Sequence, residues 1–220
     1  MKKLLTGISV FIIAAFIYSC GTSTYISNTW EKPGFSGKKF NKVLVVAIAK
    51  KNTSGERTLE DLVVKKLKES GINAVQSYSA IPRDLIDKNK DGKIDDNDEA
   101  KKIFDDKLTE LGIDGALIMA LKDVSKEQYY VPGTTAWTPS YYYTPYHSYY
   151  FNTYNAVYSP GYYVNNTDVY FESSVFTAEK KELVYSVLSE TSNPSSLNDF
   201  LNSYSTTLVN KLIQDRVVLR

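Results

Sequence analysis

Cysteine, histidine and tryptophan are nearly missing from this chain. It has one cysteine, Cys20, one histidine, His147, and two tryptophans. A lone cysteine closes no intramolecular disulfide, and one histidine offers no zinc-ligand pair at the usual spacing. No serine stands in a G-x-S-x-G elbow and no glycine-rich phosphate loop occurs. The familiar nucleophile–histidine and nucleotide-binding patterns therefore lack their parts. A surplus of one charge is missing too. The 26 Lys and Arg face 25 Asp and Glu, a formal net charge of +1, which gives no electrostatic case for a nucleic-acid partner. Beyond residue 20 no apolar run approaches the ~20 residues of a membrane-crossing helix.

What is present begins with an address. Lys2 and Lys3 precede "LLTGISVFIIAAFIY", an apolar run of 15 residues, and Ser19, Cys20 and Gly21 close it. The run is short for a span and fits a secretory signal over residues 1–19. "IYSCG" resembles the lipobox of bacterial lipoproteins, in which the cysteine becomes the acylated first residue of the mature chain. Tyr18 departs from the small or aliphatic residue usual there. The resemblance implies lipidation at Cys20 and a membrane partner reached through the anchor. It also explains an unpaired cysteine in an exported chain. Gly21 is not a retention aspartate, and no acidic cluster follows Cys20. By analogy the expected place is the outer membrane, facing the periplasm.

Residues 20–41 read as the lipidated cysteine and a tether, and 42–220 as a single domain. "KVLVVAIA" is a strand buried on both faces. "RTLEDLVVKKLKESG" is a helix, with Thr58 and Asp61 as a capping box and Gly71 as its stop. "INAVQSYSAI" reads as the second strand, 99–112 as the second helix and "DGALIMALKDV" as the third strand. After an irregular excursion over 128–166, two strands joined by a charged turn follow. A final helix places Leu197, Phe200, Leu201, Tyr204, Leu208, Leu212 and Ile213 on one face behind a Ser196–Asp199 capping box. The order β-α-β-α-β-β-α predicts an α/β fold, a two- or three-layer sandwich, with the excursion between the third and fourth strands.

"DKNKDGKIDDND", residues 87–98, has the layout of an EF-hand calcium loop. Asp87, Asn89 and Asp91 stand at positions 1, 3 and 5, and Gly92 at position 6 permits the turn. Lys93 would offer its carbonyl at 7, Asp95 a water-mediated contact at 9, and Asp98 closes at 12. Asp in place of Glu at 12 resembles dockerin-type loops, and a proper incoming helix is missing. The pattern predicts one calcium ion held as a structural staple, with a solvated acidic turn as the bland alternative.

Residues 129–163 hold twelve of the 18 tyrosines. Flat rings with one hydroxyl suit contact surfaces for proteins or glycans. Trp137, Tyr141, Tyr142, Tyr143, Tyr146, Tyr149 and Tyr150 form the candidate binding surface, and packing over the sheet is the competing use.

Four stretches, "CGTS" with Thr29–Trp30, "KVLVVAIAKKNTSGERTLEDLVVKKLKESGINAVQSY", "LGIDGALIMAL" and "YSVLSETSNPSS", carry a resemblance to a family of uncharacterised bacterial envelope lipoproteins. The element order is similar in outline to the α/β domains of the curli-secretion lipoprotein and of the Tol-system propeller protein. The resemblance implies docking or assembly at the envelope and transfers no catalytic residue. The leading expectation is thus a non-catalytic, lipid-anchored envelope protein that binds a protein or glycan partner. A calcium-dependent binding module using the tyrosine-rich segment is the alternative. A carboxylate-based hydrolase is a third reading and requires converging acids outside the calcium loop.

Overall fold

The structure, a computed structural model, describes residues 22–49, 53–88, 95, 97–131 and 162–219. It divides into a main unit, which runs to Val124 and resumes over Val169–Arg220, and a second unit, Ser125–Asp168.

The apolar run at the centre of the main unit becomes β2 (Val43–Ile48). It lies between two parallel neighbours, β3 (Ala74–Gln76) and β4 (Gly115–Val131). Alternate side chains of β2 serve opposite faces of the sheet. Val43, Val45 and Ala47 enter one core; Leu44 and Val46 enter the other. A strand buried this way must be apolar at every position, which is why it was legible.

The first core is covered by α1 (Thr53–Glu69) and α4 (Leu197–Gln214). Leu59, Val63, Val64 and Leu67 of α1 recur at helical spacing and pack inward. From α4, Phe200 and Tyr204 meet Phe171 at centroid distances of 5.5 and 4.9 Å. The Tyr204 hydroxyl is buried and pairs with Ser173 Oγ at 2.6 Å. The second core lies under a one-turn helix α2 (Ser77–Ala80) and the longer α3 (Asp98–Glu110). The architecture is an α/β sandwich, as expected.

The six strands run in the order β1-β6-β5-β4-β2-β3, with β5 (Tyr162–Thr177) and β6 (Glu182–Ser192) joined through residues 178–181. One edge is β1 (Ser23–Glu31), antiparallel to β6. This corrects the reading of 20–41 as a tether. Only Thr24 and Ile26 alternate cleanly toward the core before the register shifts between Ile26 and Asn28. That bulge erases the period-2 signal.

Three further boundaries differ from expectation. α1 starts at Thr53, so Thr58 sits inside it and donates back to the Ser54 carbonyl at 2.9 Å instead of capping. "INAVQSYSAI" makes only a three-residue strand before turning into α2. β4 continues to Val131 and β5 begins at Tyr162, so both ends of the expected excursion are strand. Within the second unit Gln128 Nε2 donates to Asn165 Oδ1 at 3.0 Å. Residues 132–161, with Trp137 and Tyr141, Tyr142, Tyr143, Tyr146, Tyr149 and Tyr150, lie outside the described residues.

The final helix keeps its cap. Ser196 Oγ accepts from the Asp199 N–H at 3.1 Å, while the Asp199 carboxylate accepts from Ser195. Leu197 departs from the expected apolar face and stands 49% exposed. It is the first residue of the helix, ahead of the turn that meets the core.

Candidate functional site

In an open α/β sheet, ligand sites favour the carboxyl ends of the parallel strands. Here β2 and β3 end beside Glu60. Its neighbour Leu59 holds α1 against the core, and this turns Glu60 toward the strand ends, where it is 3% exposed. Oε1 accepts from the Ala47 N–H at 3.0 Å and from the Ser77 hydroxyl at 2.7 Å. Oε2 accepts from the Ser77 N–H at 2.8 Å and, more weakly, from Tyr78 N at 3.4 Å. Burial pushes this carboxyl above the usual glutamate range, while the hydrogen bonds from Ala47, Ser77 and Tyr78 pull the other way.

One turn earlier, Glu56 Oε1 accepts from the Ala49 N–H at 2.7 Å. Arg83 approaches its other oxygen at 4.0 Å. Asp61 accepts from the Tyr78 hydroxyl at 2.7 Å, and this bond holds the phenol above its ordinary pKa. The Arg57 guanidinium lies 5.4 Å from the Tyr78 ring centre. Glu56, Arg57, Glu60, Tyr78 and Arg83 border, with Val46, Thr53 and Phe104, a cleft of about 420 Å³. Two carboxylates do converge on one cleft outside the calcium loop. Both are engaged by main-chain N–H groups of the strand ends and of α2. That arrangement clamps helix to sheet.

A larger hollow, about 630 Å³, opens against α3 and shares Val46 and Phe104 with the cleft. Its walls are apolar: Val46, Phe104, Leu108, Ile118 and Phe176. Its rim is charged, with Lys181 Nζ and Asp105 Oδ2 paired at 2.5 Å and Lys101 nearby. Thr177 also lines it, and among the described residues the buried Thr177 hydroxyl has no hydrogen-bond partner. An apolar trough with a charged rim suits a ligand or peptide with an apolar body.

The ends of the acidic loop are described. Asp87 is 5% exposed, and its N–H donates to the Arg83 carbonyl at 2.8 Å. The Asp95 N–H donates to the Ile86 carbonyl at 2.8 Å, and its carboxylate accepts from Lys88 N at 3.1 Å. Positions 1 and 9 are therefore drawn together. Asp98 opens α3, whose cap is Asn97, accepting from Ala100 N at 2.8 Å. Asn89, Asp91 and Lys93 lie outside the described residues, as does Cys20. Among the described residues no group of three metal-ligating side chains occurs.

Sequence reasoning missed Glu60 and Ser77. A signal was available, because Glu60 stands within the stripe Leu59, Val63, Val64 and Leu67. An acid inside an apolar stripe needs fixed partners.

No protein-family model matches the chain, and no curated protein matches it. Similarity is found to solved structures. Two crystal forms of a PelC dodecamer from Paraburkholderia phytofirmans share 11% and 10% identity, with TM-scores of 0.43 and 0.42. They cover 85% and 90% of this chain and 95% and 99% of the matched chains. Lipoprotein GNA1162 from Neisseria meningitidis shares 13% identity at a TM-score of 0.42, covering 79% of this chain and 98% of that one. At these values the likeness assigns no function.

Proposed function

We propose that this chain is a lipid-anchored protein of the bacterial cell envelope that acts by binding, in docking or assembly. The observation that carries the binding role is the 630 Å³ apolar trough beside α3, with its charged rim. The address rests on the resemblance of "IYSCG" to a lipobox, with acylation at Cys20 and the outer membrane's periplasmic face as the site. The tyrosine-rich segment around Tyr141–Tyr150 adds contact area for a protein or glycan partner.

Calcium is assigned a structural part. Asp87, Asn89, Asp91, Asp95, Asp98 and the Lys93 carbonyl would hold one ion, which would fix the connection that starts α3 and so one wall of the trough.

The trough is tested by placing a photocrosslinking side chain at Phe104 in native envelopes, with Lys65 on the exposed face of α1 as control. The same single adduct from Phe104 and none from Lys65 is expected. Adducts alike at both positions would remove the binding role from the trough.

A second reading follows from the cleft itself. Glu56 and Glu60 both border it, as a carboxylate-based hydrolase requires. Their main-chain partners favour the structural role. Hydrolysis of an envelope glycan that is lost in both Glu56→Gln and Glu60→Gln, with the fold retained, would reverse that preference.

A further inference from the structure

Building on the lipid-anchor reading, we propose that one end of the main unit lies directly on the bilayer, with Leu197 and Val124 seated among lipid acyl chains. That end consists of the amino terminus of α4, the carboxyl end of β2 and the part of β4 around Val124.

The first argument is chain length. Thr22 is fixed to α4: its hydroxyl donates to the Asp199 carboxylate, and its carbonyl accepts from Ser203 Oγ at 3.1 Å. Thr24 continues the attachment, 2.9 Å from Ser203 Oγ and 2.7 Å from Thr191 Oγ1. Two residue steps separate Thr22 from Cys20. A chain reaches at most ~3.3–3.6 Å per residue, so an acylated Cys20 stays within about 7 Å of Thr22. Its acyl chains belong in the hydrocarbon. The domain is left without a leash on which to stand away from the membrane.

The second argument is the surface around that attachment. Leu197 is 49% exposed and Val124 is 42% exposed. Both border an apolar hollow of about 340 Å³ that runs inward to Leu121, Phe171 and Phe200. Ile48, at the end of β2, is a further 52% exposed. Of the acids at this end, Asp199 is tied to Ser195 and Thr22 and Glu56 to Ala49, while the exposed Asp123 accepts from the Val124 N–H at 2.8 Å and stands at the headgroup level. An apolar mouth whose one lining carboxylate, Glu56, is bound to the main chain fits a hydrocarbon partner better than water.

The turn at 178–181 is at the other end of β6, whose 11 residues at ~3.3 Å each put it about 35 Å away.

The test uses the full-length acylated protein in vesicles of phosphatidylethanolamine and phosphatidylglycerol. Leu197→Cys, Val124→Cys and Lys181→Cys each carry a nitroxide; acylation of Cys20 leaves the new thiol unique. At 197 and 124, collisions with dissolved oxygen should exceed those with a water-soluble nickel chelate several-fold, and at 181 the order should reverse. If 197 and 124 match 181 while mass spectrometry shows an acylated Cys20, this inference is overturned and the anchor reading stands. Shielding of 197 and 124 from both reagents would mean that a second copy covers the surface, which also overturns it. An unacylated Cys20, read by mass alone, would remove the anchor reading and the short link with it.

Discussion

Ser77 gives both its N–H and its hydroxyl to Glu60, at 2.8 and 2.7 Å, and so fastens the start of α2 to the middle of α1. Glu60→Gln turns one acceptor into a donor that faces main-chain N–H groups. Each buried group left unpaired costs about 1–3 kcal/mol. Urea denaturation should show a loss at the upper end of that range for Glu60→Gln and a smaller one for Ser77→Ala. Equal stability of Glu60→Gln and the parent would contradict the clamp.

Alkali should unfold the domain through two phenols. Burial pushes Tyr204 and Tyr185 well above the ordinary tyrosine value of 10.0, with the Tyr185 bond to Asp215 adding to its shift. A raised folded pKa favours the protonated form in the fold. Stability from these groups is complete below pH 10 and falls as pH rises toward their raised values. The melting temperature should drop steeply above pH 10, and less steeply in Tyr204→Phe. A flat profile from pH 9 to 11 would count against both burials.

Ser196 caps α4, the helix that packs Phe200, Leu201, Tyr204, Leu208, Val209 and Leu212 into the larger core. Replacement by alanine should cost about 1 kcal/mol, with α1 and the sheet unchanged. Thermal denaturation followed at 222 nm reads it, and Ser196→Asp should restore most of the loss.

Gly34 and Gly37 share nearly the same backbone, φ 81° and 84°, yet differ in surroundings. A Cβ at Gly34 meets nothing within 4 Å, while one at Gly37 falls 2.0 Å from the Arg216 carbonyl oxygen. Gly34→Ala should cost about 1 kcal/mol for the left-handed conformation alone. Gly37→Ala should cost clearly more, because a main-chain oxygen must move. Similar losses would refute the close approach.

Calcium at millimolar concentration should raise the melting temperature of the parent and leave Asp91→Ala unmoved. At a hundredfold excess over Kd the linkage amounts to about 2.7 kcal/mol. Isothermal calorimetry showing no heat with the parent would end the metal assignment.

The strand at Val43–Ile48 and the cap at Ser196 were readable because each depends on local chemistry. Unbroken apolar residues mark burial on both faces, and a serine three residues before an aspartate marks a helix start. β1 was not readable, since its pairing with β6 is long-range and its alternation is broken at Ser27. The early end of β3 was hidden for a related reason. Glu60 captures the N–H groups of Ser77 and Tyr78 from the far side of α1, and nothing in "AVQSYSAI" announces it. Of the candidate site, the acidic loop was found from its spacing. The trough was not, because it arises from α3, β4 and β5 meeting in space.

The pairing of Ser23 with Ser192 sets an order of events. The strand nearest the amino terminus cannot be placed until β6 has arrived from the other end of the chain. Closing so long a loop is slow, and it waits on synthesis of the chain through Ser192. Until then the sheet lacks its outermost strand.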